Sequence, residues 1–298
     1  MSSLKSVLIL GLGVMGEAFL HHISRSTQAQ VDCVNPEGIP FKAPLLPGSA
    51  NLIHERDLKD KSYDLVIVSV SLIGFDWAVK KLAHIKAHHV LIVTKGLVVS
   101  KNTISTLTDY AANELNINPS LFCQVAGPCI AADLKHNSSP LELVLAGSNA
   151  YDLAPVLSHL NVQFKPSLDI VGVSWAAAFK NIYSIALGAS ISNSQQAALL
   201  TNILSELSSL IVNRGGQFST AYQLAGIGDL WVTAAGGRNG KFGKLYQQTG
   251  SFSKAIEAMN NQTIEGVELA ASIRSQWVLN DYHHLFPIIS EWINKLQK

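Results

Sequence analysis

The sequence predicts a Rossmann-type α/β region, with a mainly parallel sheet and helices on both faces, followed by an all-α region. Three observations carry that expectation. Apolar β-branched runs alternate with helix-patterned segments through the first half, the signature of βαβ units. The first of these runs leads directly into a glycine turn that opens a helix. From about Val171 onward only helical periodicity remains. A chain of 298 residues exceeds one core of average size. Two domains are therefore expected, residues 1–168 and 169–298, divided near "FKPSLDIVG".

In chain order, "SVLILGLGVMGEAFLHHIS" reads as strand, glycine turn and helix, and "AQVDCV" as a short second strand. "YDLVIVSVS" and "HHVLIVTKG" are further strands with polar boundaries, and "SLFCQVAGP" and "PLELVLAGS" are weaker ones. "VGVSWAAAFKNIYSIALGASIS" is the longest apolar stretch. Lys180, Asn181 and several serines interrupt it, so it reads as a buried helix and not as a membrane span. "AALLTNILSELSSLIVNRG" repeats its apolar residues at three- and four-residue spacing, as an amphipathic helix does.

Composition removes several function classes. Hydrophobic residues make up 48% of the chain, charged residues 14%, and the net charge is +1, without the basic stripe that nucleic acid or an anionic membrane requires. Cys33, Cys123 and Cys129 form neither a zinc spacing nor an even disulfide set, which points to a reducing cytoplasm. The opening "MSSLKS" lacks the regions of a signal peptide. His84 and His88, four apart on an expected helix, read as a solvated helix end, and the pairs His21–His22 and His283–His284 lack companions at ligand spacing. No metal is expected. The Gly-x-Ser-x-Gly turn of serine hydrolases does not occur.

"GLGVMG" places Gly11, Gly13, Val14, Met15 and Gly16 at the first strand–helix junction. The first glycine permits the tight turn, the second lets a pyrophosphate approach the backbone, and the third lets the helix pack closely. An acid that takes the ribose hydroxyls belongs near Asn35, but the sequence there is "DCVNPEG". Glu37 lies beyond Pro36. The neutral tip leans toward NADP over NAD.

A few polar residues stand out against the apolar background. Lys180 lies on a stripe with Val173, Ala177, Ser184 and Gly188, and either snorkels outward or faces a polar cleft. Lys95 stands at the end of a strand, where open α/β sheets bind ligands. Asp229 reads either as a helix N-cap or as a site carboxylate. In "GGRN", Arg238 and flexible glycines that expose N–H groups suit an anion.

These pieces together resemble the NAD(P)-dependent glycerol-3-phosphate dehydrogenases over nearly the whole chain. The matching stretches are "GLGVMG", "TKGL", "AGPCIAADL", "AAFKNIYSIALG", "AGIGDLWVTAAGGRNGKFG", "IEGVELA" and "FPI". The resemblance implies Lys180 as catalytic lysine with Asn181 beside it, Lys95 as a second active-site lysine, and Asp229 and Thr233 as the carboxylate and hydroxyl of the site. It implies Arg238 and Asn239 on the substrate phosphate, with Arg238 and Glu265 also at the cofactor. It further implies NADP or NAD as cofactor, dihydroxyacetone phosphate and glycerol 3-phosphate as substrate pair, and a cytoplasmic homodimer.

Departures from the family pattern fall mainly on the adenosine side. "GPCIAAD" carries Cys129, Ile130 and Asp133 in place of the usual residues, and Val70 stands where proline is usual. The segment from Asn35 to Asp57 is short and lacks the family's arginine, and a second arginine is missing around Thr201 and Asn202. Two other readings remain open: a relative resembling ketopantoate reductase, whose substrate has no phosphate to grip, and a catalytically impaired nucleotide-binding homologue.

Overall fold

The computed structural model describes residues 4–37, 50–136, 140–158, 160, 162–260, 262–280 and 282–296. The chain divides into two compact units. One comprises residues 1–95, 108–125 and 129–170, and the other residues 96–107, 126–128 and 171–298. Residues 38–49, the middle of the segment that is short relative to the family, lie outside the described residues.

The first unit is built on an eight-stranded sheet. Its strands are β1 Ser6–Leu10, β2 Gln30–Val34, β3 Ala50–Leu52, β4 Ser62–Val68, β5 Lys86–Ile92, β8 Phe122–Ala126, β9 Leu141–Ala146 and β10 Val162–Ser167. The order is β10-β9-β8-β5-β4-β1-β2-β3, and β1 pairs in parallel with both β2 and β4, as β5 does with β4 and β8. Helices α1 Val14–Ser26, α2 Phe75–Leu82, α3 Leu107–Leu115, α4 Ala131–His136 and α5 Ala150–Val156 connect the strands. Every residue of β8 and the last four of β1 and β4 are buried, as expected of strands covered on both faces. Cys33 and Cys123 lie in this core, and burial pushes both thiols up to about 12, so neither is a nucleophile at neutral pH.

Three strand features are absent from the sequence reading, each for a physical reason. β3 and β10 are the edges of the sheet, where a strand need not be continuously apolar; β3 has three residues and β10 contains Lys165 and Pro166. β6 Leu97–Ser100 and β7 Thr103–Thr106 form an antiparallel hairpin in the second unit. Its two-residue turn is Lys101-Asn102 with both φ values positive (49° and 61°), a turn that more often advertises itself with glycine. The expected helix end at His84 and His88 is also corrected. α2 stops at Leu82, and His88 belongs to β5, whose Lys86 pairs with Ser62 of β4.

The second unit is otherwise helical: α6 Ile170–Gly188, α7 Asn193–Asn213, α8 Asp229–Gly236, α9 Arg238–Thr249, α10 Phe252–Ala258, α11 Glu265–Leu279 and α12 Pro287–Lys295. α6 is apolar nearly all round, and such a helix belongs at the centre of a bundle. It is long and apolar enough to cross a membrane, and 89% of its apolar window is buried inside the protein. The close approach of neighbouring helices to α6 depends on glycine. A Cβ on Gly188 would fall 2.2 Å from Gly240 O, one on Gly243 2.1 Å from Ile185 O, and one on Gly266 2.6 Å from Asn181 O.

Candidate active site

Lys180 sits in the middle of α6 and is 5% exposed, so it does not snorkel. Its ammonium is paired with the Asp229 carboxylate and donates a second hydrogen bond to Thr233 Oγ1 at 2.9 Å. A lone ammonium in this apolar surround would cost several kcal/mol, and the carboxylate and hydroxyl offset that cost. Asp229 is 0% exposed and its second oxygen accepts from the Gly127 N–H at 3.2 Å. The N-cap reading of Asp229 is therefore corrected: the N-cap of α8 is Gly228, and Asp229 is the first residue of the helix.

Local backbone explains how Asp229 arrives there. A short π-helical turn, Leu224–Gly228, runs directly into α8, and wide turns of this kind recur at functional sites. Gly226 packs so tightly on this turn that a Cβ would lie 2.1 Å from Ala221 O. Gly127 adopts φ 126°, a region that favours glycine, and this presents its N–H to Asp229. Gly127 is a site residue that the sequence reading passed over; its signal was the unexplained glycine of "AGPC".

The "GRN" segment starts α9, with Gly237 as the preceding residue. Arg238 is half-exposed and its Nη2 donates to Glu265 Oε1 at 3.1 Å. Asn239 is buried: Nδ2 donates to Asn181 Oδ1 at 3.0 Å, and Oδ1 accepts from the Gly266 N–H at 2.9 Å. The amide thus ties the start of α9 to the residue after Lys180 and to the residue after Glu265. The glycines of "GGRN" form the junction between two helices: Gly236 ends α8, Gly237 precedes α9, and a Cβ on Gly237 would fall 2.5 Å from Thr233 O, so close packing accounts for it.

In the first unit, Gly11 has φ 96° and donates its N–H to Val34 O, which turns the chain sharply out of β1. A Cβ on Gly16 would lie 2.0 Å from Gly11 O, whereas one on Gly13 would meet nothing within 4 Å. Open space over Gly13 at the start of a 13-residue helix is what a pyrophosphate requires, so these residues fit a dinucleotide. Val14 and Met15 form the first turn of that helix. Ser69, also passed over in the sequence, donates from Oγ to Gly11 O at 2.7 Å and braces the turn. Val70, in place of proline, would meet a Gly11 Cβ at 2.7 Å. Lys95 follows β5 by three residues and is half-buried. Among the described residues, no three His, Cys, Asp or Glu side chains group as a metal site.

Residues 169–297 match the family model for the NAD-dependent glycerol-3-phosphate dehydrogenase C-terminus. The NAD(P)+ glycerol-3-phosphate dehydrogenase of Fusobacterium nucleatum is 29% identical over 236 residues, covering 76% of this chain and 70% of that protein. Its counterpart in Halorhodospira halophila is 28% identical over 292 residues, covering 91% and 86%. The crystal structure of glycerol-3-phosphate dehydrogenase from Coxiella burnetii superposes with a TM-score of 0.78 over 98% of both chains at 22% identity, a likeness of fold. By the family model in its helical half and by relatives along most of its length, the chain is similar to the NAD(P)-dependent glycerol-3-phosphate dehydrogenases.

Proposed function

We propose that the protein reduces dihydroxyacetone phosphate to sn-glycerol 3-phosphate with NADPH or NADH, feeding phospholipid synthesis. The observation that carries this reading is the buried Lys180–Asp229–Thr233 cluster, in the same unit as an arginine at a helix N-terminus. Bound nicotinamide supplies the hydride for the ketone carbon. The remaining chemistry falls to side chains of this chain. Lys180 Nζ donates to the carbonyl oxygen as negative charge develops there, and gives up the proton that completes the alcohol. Asp229 favours the charged lysine against desolvation, and Thr233 fixes its direction. The neutral amine regains a proton from solvent; in reverse, it accepts the proton of the alcohol.

Arg238 and the first-turn N–H groups of α9 hold the substrate phosphate, since a guanidinium fork and a helix N-terminus both suit an anion. That remote grip orients the reacting carbon. Asn181 and Asn239 complete the substrate side, and Lys95 acts as a second lysine. Gly11, Gly13, Val14, Met15 and Gly16, with Arg238 and Glu265, hold the cofactor. The reading takes residues 1–168 as the cofactor domain, residues 169–298 as the catalytic domain, and the protein as a cytoplasmic homodimer, which sedimentation and cell fractionation check.

The test follows NADPH or NADH absorbance with dihydroxyacetone phosphate, beside ketopantoate and a buffer blank. Turnover of the phosphate substrate alone is expected, with Lys180→Ala chiefly lowering kcat and Arg238→Ala chiefly raising KM. Folded, cofactor-binding protein that leaves dihydroxyacetone phosphate untouched would overturn the reading.

A further inference from the structure

We propose that Gln124 is a positioning residue for Lys95, its buried amide fixing the peptide from which the lysine side chain leaves. The inference rests on Lys95 serving the reaction as a second lysine. The hydrogen-bond ladder of β5 ends at Ile92, which is paired with Val68 of β4 on one side and with Gln124 of β8 on the other. Val93, Thr94 and Lys95 therefore continue past the sheet at its carboxyl edge, where open α/β sheets bind ligands. Backbone that leaves a ladder loses its partners, and its buried carbonyls need new ones. Gln124 supplies them: Nε2 donates to Ile92 O at 2.9 Å, to Thr94 O at 3.2 Å and to Val125 O at 3.1 Å. Thr94 O belongs to the Thr94–Lys95 peptide, so the amide grips the plane that carries Lys95.

Thr94 is held at its two other polar groups as well. Its N–H donates to Val68 O, at the end of β4, at 3.3 Å, and its hydroxyl donates to Val70 O just beyond at 2.8 Å. N–H, hydroxyl and carbonyl are thus all engaged by neighbours, and both Thr94 and Gln124 are buried. Lys95 itself is half-buried, and Gly96 follows it with φ 149°, a region that favours glycine. A fixed root restricts where the flexible lysine stem can carry its ammonium, and a catalytic group needs that precision. Packing alone does not explain the glutamine. Every residue of β8 is buried, and there an aliphatic side chain fills the same space without a polar group to satisfy.

The experiment is a double-mutant cycle on kcat/KM for dihydroxyacetone phosphate, with wild type, Gln124→Met, Lys95→Ala and the pair, and with thermal midpoints as folding controls. Methionine keeps the length of glutamine and removes its donors. Lys95→Ala should lower kcat/KM by about 10²-fold. Gln124→Met should lower it about tenfold when Lys95 is present and less than about twofold when it is absent, because the glutamine acts through that lysine. A glutamine that served stability alone would lower the thermal midpoint and act equally in both backgrounds. Equal effects in the two backgrounds, or a folded Gln124→Met with full activity, overturn the proposal and leave the Lys95 reading standing. Lys95→Ala with full activity overturns both. Wild type without turnover overturns the reading of the reaction, and the proposal with it. Should Gln124→Met fail to fold, Thr94→Val frees the same segment from Val70 and goes through the same cycle under the same criteria.

Discussion

Two ion pairs of the helical unit have the same formal charges and opposite physics. Lys180 and Asp229 are 6% and 0% exposed at their side chains, whereas Arg238 and Glu265 are 49% and 45% exposed. In the first pair each charge depends on the other, because water is excluded. In the second, water screens the attraction and can replace either partner. A buried lysine thereby keeps a fixed position beside its carboxylate, as the proposed proton donor needs. A half-exposed arginine keeps the freedom to exchange its carboxylate for an incoming phosphate.

Breaking the buried pair gives the largest expected effect. Lys180→Ala strands Asp229 without its cation and should destabilise the protein by about 3–5 kcal/mol, with kcat lower by about 10³-fold. Urea unfolding and steady-state kinetics measure the two losses. Lys180→Met combined with Asp229→Asn removes both charges and should recover most of the stability and none of the activity, since replacing a buried pair together is close to neutral. A double variant no more stable than Lys180→Ala would show that packing around α6, and not charge pairing, sets the cost.

The sequence displays the two pairs unequally. Lys180 stands out as a charge in an apolar helix, but spacing alone leaves open whether it snorkels outward or faces a polar cleft. Its partner Asp229 is 49 residues away, and only family resemblance brought the two together before the fold did. The strand–turn–helix start was legible from Gly11, Gly13 and Gly16, since local sterics fix that turn. Gly127, Ser69 and the Asn35 contact with Leu12 were not, because each is a hydrogen bond between segments distant in sequence. Gly237 of "GGRN" was read as flexible for the same reason: whether a missing Cβ gives freedom or close packing depends on the neighbour across the gap.

A third acid, buried as Asp229 is, sharpens the comparison, because hydrogen bonds hold it in place of a cation. Glu206 on α7 accepts from Tyr183 Oη at 2.8 Å and from the N–H groups of Ile288 and Ile289 at the start of α12, at 2.7 and 2.8 Å. Burial pushes its carboxyl above the ordinary value of 4.5, against those hydrogen bonds. The folded state therefore holds this proton more tightly than the unfolded state. The resulting stability is fully present below 4.5 and is lost as pH rises through the folded value. Relative to Glu206→Gln, wild type should lose about 1.4 kcal/mol for each unit separating the two values. Urea unfolding of both proteins from pH 4 to 8 measures this, and a relative gain for wild type as pH rises would contradict it.

The smallest effect belongs to the exposed pair. Glu265→Gln leaves Arg238 a hydrogen-bond acceptor and solvent, so its stability cost should stay within about 0.5 kcal/mol and vanish in high salt. The functional consequence has a different sign. Removing the carboxylate takes away the competitor for the guanidinium, so inorganic phosphate should inhibit the variant at lower concentration than it inhibits wild type. Thermal midpoints at low and high salt, together with phosphate inhibition constants, separate the two quantities. A cost above about 1.5 kcal/mol that persists in salt would place Arg238 and Glu265 with the buried pair, and the division between a fixed proton donor and an exchangeable anion grip would fail.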